Sequence, residues 1–134
     1  VCSLKEGQDR AAMVCHMEIA KDGRLASYRF TRALVRIAEN IAYEDAQARI
    51  DAGEANKTLT DLWDCWRVLA DARMKRDPLE LELPERRVIL DEHGKIAEIA
   101  LRERLDAHRV VEDFMVTANV ATARALESKT SPVV

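Results

Sequence analysis

The string AAMVCHMEIA (residues 11–20), followed by KDGR (21–24) and LASYRFTRAL (25–34), reads as a β-hairpin. Ala11, Met13, Cys15, Met17 and Ile19 recur at period two, the spacing that puts side chains on one face of a strand. Val14 leaves the opposite face only partly polar. Asp22-Gly23 between two such runs is a strong short-range hairpin signal, because the turn needs a residue that tolerates positive φ. The return strand is expected from Leu25 to about Leu34.

Helical spacing takes over beyond the hairpin. Tyr43-Glu44-Asp45-Ala46-Gln47 opens a short helix expected to end at Gly53, with acids in the first turn where the helix dipole favours them. Asn56 or Thr58 can cap a longer helix over about 59–75. There Leu59, Leu62, Trp66 and Leu69 step by three and four, and Trp63, Ala70 and Met74 widen the apolar face. Asp77-Pro78 stops it. Leu79, Leu81 and Leu83 alternate with Glu80 and Glu82 in a strand pattern ended by Pro84. Val88-Ile89-Leu90 and Ile96 to Leu101 form a second hairpin around Asp91-Glu92-His93-Gly94. The last helix is expected from about Arg104 to Ser128, with Val111, Phe114, Ala118, Ala121 and Ala125 as its buried stripe. Strands and helices are segregated, so the fold class is α+β, two β-hairpins plus three helices. Two hairpins with open edges are few strands for a finished sheet, so further sequence is expected on both sides.

Composition narrows the function. Among 134 residues, 48% are apolar and 34% charged, enough for a core and too ordered a mixture for wholesale disorder. The net charge of −3 excludes a nucleic-acid binder recognisable from overall basicity. Any RNA contact must come from a local arrangement of Arg and Lys or from neighbouring domains. Cys2, Cys15 and Cys65 are an odd number without metal-ligand spacing, which favours free thiols in a reducing compartment, and the cytoplasm as the setting. No apolar run approaches the roughly 20 residues that span a bilayer, and the first residues lack the apolar core of a signal peptide.

The acids are dispersed: Asp61 and Asp64 on one helix, Asp91 and Glu92 in a turn, Asp106, Glu112 and Asp113 on the last helix. Metal-assisted phosphodiester hydrolysis needs several carboxylates converging on the ion, and scattered acids are more often solvated helix faces. His108, Glu112, Met115 and Asn119 follow one another at steps of four, three and four, one stripe of the last helix. The stripe can be a polar network beside a site or a metal pair of His108 with Glu112, although two ligands do not make a site. The commoner outcome is a hydrogen-bonded packing face. Tyr43, at a helix start, can stack on a nucleobase; from the residues alone a core or capping tyrosine is the commoner outcome. Trp63 and Trp66 are expected in the core. Arg86-Arg87 and Arg102/Arg104 can touch phosphate, yet acids flank both pairs, which favours a solvated surface.

The order of several strings resembles the RNB catalytic module of ribonucleases II and R. VCSL (1–4) with GQDR (7–10) is similar to the start of the module's middle part. IAENIAYEDAQ (37–47), PLELELPERRVILDEHGKI (78–96) and DAHRVVEDFMVTAN (106–119) follow in the family's order and spacing, and the last is the most specific. The resemblance implies a processive, Mg²⁺-dependent 3′-to-5′ exoribonuclease acting on single-stranded RNA. It implies that Tyr43 stacks on the base at the RNA 3′ end, and that His108, Glu112 and Asn119 shape and support the channel. It also implies flanking RNA-binding domains of the cold-shock and S1 type. The family's Asp cluster that holds Mg²⁺ belongs upstream of Cys2, its later segments belong beyond Val134, and Asp113 replaces the more usual second Glu. The chain is therefore expected to be a central segment with no catalytic or metal-binding residue of its own, inactive alone. Two alternatives remain. One is a non-catalytic interaction or regulatory domain of the same fold. The other is an α+β domain unrelated to RNA, favoured by a shifted hairpin register or a Tyr43 buried among apolar partners.

Overall fold

β-Branched, aromatic and alternating residues produce the first hairpin where it is expected. In the computed structural model, which describes residues 3–75, 86–90, 93–101 and 104–129, β1 (Asp9–Ile19) pairs antiparallel with β2 (Leu25–Arg36). Val14 faces Thr31, Cys15 faces Phe30 and Met17 faces Tyr28. The tip is closed by Gly23 at φ +77°, whose N–H donates to the Ala20 carbonyl at 2.8 Å.

The single inward face expected for β1 does not run its whole length. Near the tip Cys15, Met17 and Ile19 are half-buried, but farther out Ala12 and Val14 are, while Ala11 is exposed and Met13 is 63% exposed. β2 crosses over at the same level, from Tyr28 and Phe30 to Thr31, Ala33 and Val35, leaving Leu34 72% exposed. A two-stranded ribbon twists strongly, so the side it turns to the helices changes midway.

The helices are α1 (Tyr43–Asp51), α2 (Lys57–Met74) and α3 (Asp106–Glu127). Asn56 caps α2, its Oδ1 accepting from the Leu59 N–H at 2.9 Å. Leu59, Trp63, Trp66 and Leu69 are buried as the spacing predicts, whereas Leu62 and Met74 are exposed at the margin of that face. On α3 the expected stripe holds from Phe114 onward, with Ala121 fully buried and Phe114, Ala118 and Ala125 half-buried, but at its start Ala107 and Val110 are buried and Val111 is exposed. Ala107 and Val110 join Ala46, Leu59, Trp63 and Trp66 in one core, with Phe114 and Ile50 packed on it. That core lies where the three helices meet.

The second hairpin pairs β3 (Arg86–Leu90) with β4 (Ile96–Leu101), Val88 opposite Ile99, around Gly94 at φ +74°. Among the described residues the two sheets are separate hairpins, and the architecture is α+β. The expected strand at Leu79–Leu83, the stop at Asp77-Pro78, Cys2, Asp91, Glu92 and Arg102, and the side chains of Arg86 and Arg87, lie outside the described residues.

Candidate functional site

The starts of α1 and α3 come together, and Tyr43 and His108 meet there. Tyr43 is the first residue of α1, and His108 stands in the first turn of α3. Their rings stack with centroids 4.4 Å apart and planes 30° from parallel. His108 is fixed by its own helix: its Nδ1 accepts from the Leu105 N–H at 3.2 Å, which satisfies one of the donors that a helix start leaves without a partner. In the neutral ring the proton then sits on Nε2.

A second bond binds the two helix starts. The Ala107 N–H donates to Gln47 Oε1 at 3.0 Å, so an α1 side chain completes the N-terminus of α3. Gln47 is itself oriented by donating to Asp51 Oδ1 at 3.0 Å. Just before α1, Arg49 grips Glu39 at 2.7 Å, and its hydrogen bond holds the Glu39 carboxyl below the usual carboxylate range. Tyr43 is thereby held on a braced helix start while 38% of its surface stays exposed. It is neither a core tyrosine nor one enclosed by apolar partners.

The rest of the stripe is not gathered at this point. Arg104 donates to Glu112 Oε2 at 2.5 Å, Met115 is 60% exposed, and Asn119 is exposed. Eleven residues of helix separate Asn119 from His108, about 16 Å along the axis at 1.5 Å per residue. The stripe is divided: His108 and Glu112 are half-buried and hydrogen-bonded, as a packing face would be, whereas Met115 and Asn119 face outward. Among the described residues, no three of His, Cys, Asp and Glu converge in a group that could hold a metal ion. The described residues do not fit the Mg²⁺ site implied by the resemblance.

The polar connection that sequence reasoning missed is Asp113. Its Oδ2 accepts from the Trp66 indole N–H at 2.8 Å and its Oδ1 from Arg73 at 2.7 Å, with only 11% of the carboxylate side chain exposed. Both partners lie on α2, so the pair sets α3 in register against it. The available signal was an acid sharing the α3 face with Val110 and Phe114, where a solvated carboxylate has no place.

The family model for the RNB domain matches residues 1–134, and the chain belongs to the RNB domain family. It is 31% identical over 140 residues to ribonuclease R of Escherichia coli (strain K12), an alignment covering 98% of this chain and 17% of that protein. It is 32% identical over 135 residues to ribonuclease R of Thermotoga maritima, covering 95% and 19%. Mycoplasma genitalium RNase R in complex with ribose methylated single-stranded RNA shares the fold, with a TM-score of 0.82 at 23% identity, over 96% of this chain and 21% of that one. The chain thus spans about a fifth of the length of the proteins it matches. Family membership overturns the alternative of an unrelated α+β domain. No helix among the described residues is long and apolar enough to cross a membrane.

Proposed function

We propose that this chain is the central segment of the catalytic module of a cytoplasmic, processive, Mg²⁺-dependent 3′-to-5′ exoribonuclease, and that it lines the channel receiving the 3′ end of single-stranded RNA. Tyr43 stacks on the terminal base, and His108, Glu112 and Asn119 support the wall. The cleavage carboxylates, the Mg²⁺ they hold and the flanking RNA-binding domains are assigned to other parts of the protein, so the segment alone is inactive.

The observation that carries this reading is the stacked Tyr43–His108 pair. Base stacking on an aromatic side chain is worth roughly 1–3 kcal/mol, and that gain is kept only if the ring is ordered before RNA arrives. His108 on one side and the Gln47 brace beneath supply that order, while the exposed part of Tyr43 supplies the surface.

The test is degradation of a 5′-labelled oligoribonucleotide by the full-length protein, with and without Tyr43→Ala. The expected result is roughly tenfold weaker retention of the 3′ end, which corresponds to about 1.4 kcal/mol, and a changed shortest product. Unchanged affinity and product length would remove Tyr43 from the site. The segment alone, given Mg²⁺, is expected to leave the oligonucleotide intact; trimming by the isolated chain would overturn the division of labour.

A further inference from the structure

Charge is unevenly distributed along this chain. Residues 9–36, the hairpin β1–β2, carry six Lys and Arg against three acids, a net charge of +3. The whole chain is at −3, so the remainder stands at −6. By net charge, the hairpin attracts a polyanion and the remainder, taken together, repels it.

The six cations are not equivalent. Asp22 holds Arg24 and Asp9 holds Arg36, each at 2.6 Å. Arg10 is spent on Gln8 Oε1 and on the Ser3 and Asp9 carbonyls. Lys21 stands in the turn. Arg29 and Arg32 differ: both are exposed in mid-strand, and neither is ion-paired among the described residues. Arg29 donates to Thr31 Oγ1 at 3.0 Å. The acid nearest in register is Glu18, two residues towards the tip, which accepts from Ser27 Oγ at 2.6 Å.

Three residues apart, Arg29 and Arg32 belong to opposite faces of a flat strand, and the roll of the ribbon turns both outward. They lie about 10 Å apart along the strand at 3.3 Å per residue. His16 stands opposite Arg29 and the exposed Met13 opposite Arg32, with Leu34 beyond. The outer surface therefore offers two guanidiniums beside an imidazole and apolar side chains. Guanidinium forks match phosphate oxygens, and the apolar groups suit the sugar and base between phosphates.

We propose that this outer surface of β1–β2, centred on Arg29 and Arg32, binds the phosphate backbone of single-stranded RNA, on the 5′ side of the nucleotides seated at Tyr43. The identity of the polyanion rests on the exoribonuclease reading above. The hairpin acts as the entrance guide of an otherwise acidic segment.

The test uses the full-length protein in EDTA, so that RNA stays intact, with fluorescence anisotropy on 5′-labelled oligoribonucleotides of four and twenty nucleotides over a salt series. Arg29→Ala/Arg32→Ala is expected to weaken binding of the 20-mer severalfold, and to lower the slope of log K against log salt by about 1.4, at roughly 0.7 per phosphate contact on a single strand. The 4-mer is expected to bind as before, and Arg29→Lys/Arg32→Lys to restore most of the salt slope. An unchanged slope for the 20-mer overturns the proposal, as does an equal loss for both lengths, which reports general damage. A 4-mer unaffected by Tyr43→Ala, with the 20-mer still sensitive to the arginines, upholds the hairpin surface and sinks the 3′-end site alone.

Discussion

His108 serves two partners at once: its ring stacks on Tyr43 at 4.4 Å while its Nδ1 accepts the Leu105 N–H. Positioning of the tyrosine and closure of the α3 N-terminus therefore depend on one side chain, and substitution can separate them. His108→Ala is expected to lose both, destabilising the fold by about 1 kcal/mol, the usual cost of a lost helix cap. In the full-length protein it should also shift the shortest RNA product in the direction of Tyr43→Ala. His108→Phe keeps a ring and loses the acceptor. It should restore the product length but not the stability. Urea unfolding and product sizing on gels read the two effects separately, and a product length insensitive to both variants would uncouple His108 from the tyrosine.

Asp113 is the main polar lock between α2 and α3. Removing it strands the Trp66 indole N–H and the Arg73 guanidinium. Leaving a largely buried charge without its partner costs about 3 kcal/mol, and the partial exposure of Arg73, 34% of its side chain, places Asp113→Ala at or below that figure. Asp113→Asn keeps an acceptor for the indole and should cost about half as much, near 1.5 kcal/mol. Denaturant titration of the two variants checks the order; equal losses would mean that the acceptor kept for the indole contributes nothing and that the charge carries the whole effect.

Gly23 and Gly53 make an internally controlled pair. Both have positive φ, +77° and +69°, where a side chain costs about 1 kcal/mol by backbone strain alone. A Cβ on Gly53 meets open space, but one on Gly23 would overlap Ala72 Cβ and fall 2.7 Å from the Val68 carbonyl oxygen. Gly53→Ala should therefore cost about 1 kcal/mol and Gly23→Ala at least twice that, because the hairpin tip must lift off α2. Similar midpoints of thermal unfolding for the two variants would contradict the close approach.

The Glu39–Arg49 pair gives a pH dependence with a definite sign. The folded-state carboxyl titrates below its ordinary value because Arg49 donates to it. Its contribution to stability is present above the ordinary carboxylate range, near pH 4.3, and is lost as pH falls through the depressed value. Protection factors for amide hydrogen exchange at residues 38–42, taken relative to the intrinsic rate at each pH, should fall on acidification through that window in the native protein. Glu39→Gln should flatten this local response. Parallel profiles would show that the pair does not order the approach to Tyr43.

The hairpin tip at Asp22-Gly23, the Asn56 cap, the three helices and the RNB-like strings were legible in the amino-acid order, since each is written in neighbouring residues or in a fixed local period. Local period says that a face exists but not what covers it. Packing among three helices moved the start of the α3 stripe from Val111 to Val110, and the roll of a two-stranded ribbon exposed Met13 where alternation had put it inside. The pairing of Tyr43 with His108 and the grip of Asp113 on Trp66, 47 positions away, join distant segments, and neither segment names its partner. Such contacts form only when the helices close on their shared core, which is why the candidate residues were readable singly and their arrangement was decided by the fold.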